Sequence, residues 1–226
     1  MQIEYGIVPG ISLYAVLPFA DKTREITVRN AVTGLTETAS FGSSGIGDAT
    51  VLAKYPFVRP TITSPWELAV GVSMPTGSFT NEQNNAQLSI DLQPGTGAVA
   101  LLAWAFTALS FPEAGARIIG SAAYRYAGTN FDGYRIGDEV VAGLGGEYYF
   151  DEHYALSLLV RSRFAWQDFA SQRILSATAG TYHDVLPSLS YYDGPSHVRA
   201  FAQMPLYRNV RGIQLTVSFM LGGEYS

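Results

Sequence analysis

The sequence predicts an all-β fold, an up-and-down antiparallel transmembrane β-barrel. Three observations carry that reading: strands too long for an ordinary soluble sheet, too few charges for a water-facing surface, and connections that alternate between short and long. Charged residues make up 15% of the 226 and apolar residues 47%, against about 25% charged in soluble proteins. No uninterrupted apolar run approaches the roughly 18 to 20 residues of a spanning helix. A membrane location therefore implies strands. A tilted membrane strand needs about 9 to 11 residues, whereas soluble strands average about 5 to 6.

Taken along the chain, the expected strands are Gln2 to Ile7, Ile11 to Phe19, Asp48 to Phe57, Trp66 to Met74, Gly97 to Leu109, Ala116 to Ala127, Glu139 to Phe150, Tyr154 to Trp166, Val185 to Tyr192, His197 to Tyr207 and a last segment from Ile213 to Tyr225. Three of them alternate cleanly, with period two. Trp66, Leu68, Val70, Val72 and Met74 share one face against Glu67, Ala69, Gly71 and Ser73. Leu156, Leu158, Val160, Phe164 and Trp166 oppose Ser157, Arg161, Arg163 and Gln167. In the last segment Ile213, Leu215, Val217, Phe219, Leu221 and Tyr225 oppose Gln214, Thr216, Ser218 and Glu224. Aromatics, 13% of the chain with 14 tyrosines, suit the girdles at the two membrane interfaces.

Short turns at 8–10, 59–65, 110–115, 151–153 and 193–196 interleave with longer polar stretches at 20–44, 77–94, 128–137 and 169–184. The brief link Arg208 to Gly212 is the exception. Membrane barrels place short turns on the periplasmic side and long loops outside. On that scheme the first and last of the eleven strands run the same way, so a further amino-terminal strand and a native count of about twelve are expected, bacterial barrels being even-numbered. Met1 to Gly10 shows no secretion signal. Within the loops, Glu25 to Phe41 reads as a hairpin continuing above the membrane with its turn at Thr33-Gly34, and Gly77 to Pro94, rich in Asn and Gln, reads as mobile and able to fold inward as a plug.

The chain holds no cysteine, which excludes disulfides and thiolate metal sites. A net charge of −5 is the wrong sign for a nucleic-acid partner. His153, His183 and His197 fall in or beside a turn, a long loop and a strand start, and neither a Gly-x-Ser-x-Gly elbow nor a His-Glu-x-x-His motif is present. Asp184 beside His183 is the one suggestive neighbour. Loop carboxylates such as Glu82, Asp91, Asp132 and Asp138 read as solvated rather than as calcium ligands. No enzyme, metal or cofactor is expected.

If the apolar stripes face lipid, Asp48, Lys54, Glu67, Arg117, Arg125, Glu139, Glu147, Arg161, Arg163, Arg199 and Glu224 point inward. Arginine or lysine in mid-bilayer costs about 2 to 4 kcal/mol, so these charges must pair or meet water. Two arrangements stay open: ion-pair ladders that fill a narrow barrel, and an arginine-bearing wall along an aqueous path. Arg161 and Arg163, two apart on one strand face, are the leading candidates for lining such a path. The partners expected are outer-membrane lipid on the outside and a small-molecule solute within.

Several strings go beyond periodicity: Gly45-Ile46-Gly47-Asp48-Ala49 followed by Lys54-Tyr55, Pro75-Thr76-Gly77, Gln93-Pro94-Gly95-Thr96-Gly97, Gly133-Tyr134-Arg135-Ile136-Gly137-Asp138-Glu139, and Pro205-Leu206-Tyr207 leading to Gly212-Ile213-Gln214-Leu215. In this order they resemble the outer-membrane family labelled "MetA-pathway of phenol degradation". The resemblance spans most of the chain. It implies one barrel domain over residues 1–226 in the bacterial outer membrane, begun by a signal peptide and one further strand, and passage of aromatic or hydrophobic compounds. Family members often end in an aromatic residue, whereas this chain ends Tyr225-Ser226. The expected function is a passive outer-membrane channel or facilitator for small molecules. Two alternatives stand beside it: a structural or adhesion barrel whose loops bind a partner, and a barrel enzyme acting on envelope lipid.

Overall fold

A computed structural model describes residues 2–8, 10–29, 34–58, 66–171, 173–175, 177–194, 196–211 and 220–225. In chain order the strands are β1 (Gln2–Val8), β2 (Ile11–Val16), β3 (Phe19–Arg29), β4 (Thr36–Ile46), β5 (Ala49–Val58), β6 (Trp66–Met74), β7 (Glu82–Gln83), β8 (Ala86–Gln87) and β9 (Ala100–Phe111). They continue with β10 (Ala116–Ala127), β11 (Tyr134–Arg135), β12 (Glu139–Tyr149), β13 (Tyr154–Ala165), β14 (Asp168–Ala170), β15 (Arg173–Leu175), β16 (Gly180–Asp193), β17 (Ser196–Val210) and β18 (Met220–Tyr225).

Eleven of these form one antiparallel meander in the order β1-β2-β5-β6-β9-β10-β12-β13-β16-β17-β18. They coincide with the eleven strands expected from the sequence, except that Ile213 to Phe219 of the last one lie outside the described residues. The remaining strands belong to the connections at one end of the sheet, called here the loop end. There β3 and β4 pair from Phe19↔Ile46 to Arg29↔Thr36 and prolong the β2–β5 hairpin. This hairpin is longer than the expected 25–41. The other end has tight turns, one of them closed by Gly115 in the left-handed region at φ 58°, where a side chain would be strained.

Two strands also outrun their expected bounds. β16 begins at Gly180 rather than Val185, and β17 continues to Val210 through most of what reads as a link. The physical reason is local. Polar His183-Asp184 interrupts the apolar signal, and the β16–β17 register slips by a bulge between those two residues, so alternation counted from the middle of either strand loses phase there.

Each sheet strand sorts its side chains by parity. Val70, Leu101, Leu144, Leu158 and Leu189 are exposed on one face, all above half their full accessible area. On the other face sit Ala69, Ala100, Glu147, Ser157 and Ser190, all buried. An apolar surface of this extent is foreign to soluble monomers and suits hydrocarbon. Aromatics edge it at both ends of the strands: Tyr148 and Phe150, then Tyr154 and Tyr191, touch edge-on or tilted at the turn end, while Tyr124, Tyr126 and Trp166 are exposed near the loop end.

The sheet is curled. Arg24, on the hairpin above β2, and Tyr182, on β16, line one cavity although their strands lie far apart in the sheet order. β1 and β18 run in the same direction, and among the described residues no pairing joins them. The sense of the faces is testable. Replacing outward Leu158 by Arg is expected to cost about 2 to 4 kcal/mol in a urea unfolding titration in lipid vesicles, whereas Ser121→Arg, on the inward face of β10, should cost clearly less.

Candidate functional site in the charged interior

The inward parity collects the charges. Among the described residues, Arg117, Arg125, Glu139, Glu147, Arg161, Arg163 and Arg199 share the face of the buried residues on their strands, as do Lys54 and Glu67 on β5 and β6. Neighbouring strands join most of them. Arg117 pairs with Glu147, which also accepts the Tyr149 hydroxyl at 2.7 Å. Lys54 lies 3.5 Å from Glu67, and Arg163 lies 3.2 Å from Glu139. Arg199 donates through Nε to Ser188 Oγ at 3.0 Å. The side chain of Glu224 lies outside the described residues.

The densest cluster centres on Asp184, whose side chain is 5% exposed. Its carboxylate accepts Arg161 Nη2 at 3.4 Å, Gln203 Nε2 at 2.9 Å and Arg208 Nη2 at 3.0 Å. One rung away the buried Tyr182 ring meets the guanidinium of Arg163 at 3.9 Å and that of Arg208 at 5.6 Å, a geometry in which the ring's negative face attracts cations. Sequence reasoning names Arg161 and Arg163, notes Asp184 only as a neighbour of His183, and misses Tyr182, Gln203 and Arg208. The signal was present: Tyr182, Asp184, Leu186, Ser188, Ser190 and Tyr192 keep one parity, and carrying the rhythm upstream of Val185 would have found the first two. Arg208 is concealed by the bulge.

Asp48 sits at the loop end as a structural acceptor. Its carboxylate takes the N–H of Gly77 at 3.1 Å, the N–H of Thr96 at 2.8 Å and the Thr96 hydroxyl at 2.6 Å, which ties both ends of loop 77–97 to the root of the β3–β4 hairpin. The joint is close-packed: a Cβ on Gly77 would lie 2.7 Å from the Gly95 Cα, so only glycine fits. This loop is folded, in contrast to the mobile segment expected from its composition. Buried Gln93 accepts Asn81 N–H at 3.0 Å and donates to the Asn81 and Leu88 carbonyls, each at 3.0 Å. Lys22 donates to the Gln93 carbonyl at 2.7 Å, and burial lowers its pKa, opposed by the charge of Asp48. Arg24 pairs with Asp91.

The loop's Ile90 and Asp91 overhang the interior. With Arg24, Arg125, Arg163 and Tyr182 they bound a cavity of about 400 Å³. Tyr134 lines it too; burial, with the hydrogen bond that its hydroxyl donates to Asp168, raises its pKa.

The histidines are dispersed. His153 and His197 stack against Tyr191 and Tyr192 at the turn end, whereas His183 lies near the loop end of β16. His183 faces outward, with Nδ1 2.8 Å from Ser162 Oγ and its ring beside Phe164 and Tyr207. A nucleophile and base need a third group to orient the base, and adjacent Asp184 projects to the opposite face, engaged by Arg161, Gln203 and Arg208.

No family model matches the chain, and no curated protein does. Among solved structures it is similar to the crystal structure of an outer membrane channel from Pseudomonas putida F1, with a TM-score of 0.72 and 14% identity over 99% of this chain and 79% of that one. At that identity the likeness is one of fold. It supports the outer-membrane β-barrel as the architecture and does not reach the MetA-pathway family in particular.

Two outcomes check this geometry. Asp184→Ala removes the shared acceptor of Arg208 and of the more exposed Arg161 and should lower stability in a urea titration, by less than the ~3 to 5 kcal/mol of a fully buried pair. Asp48→Ala should leave the barrel's heat-modifiable gel migration intact yet speed proteolytic cutting within residues 77–97, because the loop loses three hydrogen bonds at its root.

Proposed function

We propose that this protein is a bacterial outer-membrane channel or facilitator for passive passage of small molecules, without enzymatic activity. The observation that carries the reading is the inversion of polarity: an exposed apolar exterior around an interior in which arginines and carboxylates line successive rungs. Hydrocarbon cannot solvate these charges, and rings of charged side chains along a lumen are the usual means of attracting and ordering polar solutes in a pore. The fold supports the same reading, since the Pseudomonas putida neighbour is an outer membrane channel. Aromatic or hydrophobic compounds are the solute class that the resemblance to the MetA-pathway family implies.

Ion-pair ladders and a path can coexist in a barrel of this strand number, which lies between side-chain-filled eight-stranded barrels and wide sixteen-stranded porins. Arg161 and Arg163 then act in two ways, holding Asp184 and Glu139 and setting the local field.

The refolded protein in a planar bilayer is expected to give discrete conductance steps. The Arg161→Ala/Arg163→Ala variant should give larger ones, because two long side chains leave the lumen. Silent bilayers with well-folded protein would count for a structural or adhesion barrel instead. His183→Ala, on the outer face, should leave conductance unchanged.

A further inference from the structure

We infer that the loop-end mouth of the lumen holds a carboxylate-binding site centred on Arg125, which selects small organic anions. The inference rests on the channel reading and narrows its solute class.

The interior wall has a charge sign of its own. The chain carries a net −5, yet the inward faces of β10, β12, β13, β16 and β17 show, among the described residues, Arg117, Arg125, Arg161, Arg163, Arg199 and Arg208. Only Glu139, Glu147 and Asp184 oppose them there. Each of these carboxylates is engaged: Glu147 by Arg117, Glu139 by Arg163 and Asp184 by Arg161 and Arg208. The surplus is therefore guanidinium.

Arg125 is where that surplus meets space. Glu139 stands directly across from it in the β10–β12 register but turns to Arg163 on the far side. Among the described residues no carboxylate lies within ion-pair reach of Arg125, although it borders the cavity of about 400 Å³ under Ile90 and Asp91. Of the other acids lining the cavity, Asp91 pairs with Arg24, and Asp168 keeps its charge but has its oxygens occupied by the Tyr134 hydroxyl and, at 2.7 Å, the Gly137 N–H. What the cavity offers an incoming solute is one planar guanidinium with no ion-pair partner among the described residues, beside Ile90, Tyr134 and Tyr182. A guanidinium of that kind takes a carboxylate by two parallel hydrogen bonds. Apolar and aromatic walls with few polar anchors take a compact organic body. The fit is to a small aromatic or apolar monocarboxylate.

The test uses the refolded full chain in planar bilayers, with benzoate and neutral benzamide as probes of nearly equal size. A KCl gradient should give a reversal potential of chloride-preferring sign. Benzoate should interrupt the current at a concentration about tenfold lower than benzamide, a ratio worth about 1.4 kcal/mol. Arg125→Gln should abolish that difference, and Arg125→Lys, which keeps the charge but not the planar fork, should restore part of it. Potassium preference, or equal block by both probes in the wild-type protein, overturns the site while conduction itself leaves the channel reading standing. A benzoate preference that survives in a folded Arg125→Gln protein overturns the assignment to Arg125. Absence of any conductance removes the channel reading and this inference together.

Discussion

Everything in this molecule follows from one constraint, that the hydrocarbon core of a membrane offers no hydrogen-bond partner to a peptide group and no solvation to a charge. The backbone meets it by pairing strand to strand across eleven strands. The side chains meet it by parity, since successive residues of a strand point to opposite faces. Leucines and valines go to lipid. Arginines and glutamates are forced into a narrow interior, where a charge without water must find a partner.

That crowding explains why the interior polar groups form chains rather than isolated pairs. Asp184 serves Arg161, Arg208 and Gln203 at once, and Tyr182 lies between two guanidinium groups. Arginine suits such a site better than lysine because its charge is spread over a planar fork with several donors, so one group can bond a carboxylate and stack on a ring together. The two lysines of the chain behave differently: Lys22 is spent on a loop carbonyl, and Lys54 sits near the Tyr14 ring and Glu67. At the loop end, where water is available, side chains bonded to loop backbone do the tying. Gln93 folds its own loop, and Asp48 fastens that loop to the hairpin, leaving Ile90 and Asp91 over the interior.

Legibility in the sequence followed the strength of the alternation. In Tyr154 to Trp166 the outward series Leu156, Leu158, Val160 is unbroken, so the inward direction of Arg161 and Arg163 could be read directly. Around His183 and Leu206 the rhythm is interrupted by polar residues and a bulge; Asp184 was therefore assigned to a loop and Arg208 to a link, although both belong to the central cluster. Loop 77–97 was illegible for a different reason. Its order comes from Gln93, Asp48 and three close-packed glycines that meet only once distant segments converge, and composition rich in Asn and Gln carries no trace of that.

By itself, then, the sequence determined the class of fold, the order of the sheet strands, and which charges face inward on the strands that alternate cleanly, because strand parity is a local property of the chain. Only the tertiary structure decided which partner each charge takes. Glu139 is equally an inward residue whether it binds Arg125 or Arg163, and its choice depends on the tilt and register of three strands together. That choice leaves Arg125, at the edge of the cavity, without a carboxylate partner among the described residues, a consequence of packing between strands that no single strand encodes.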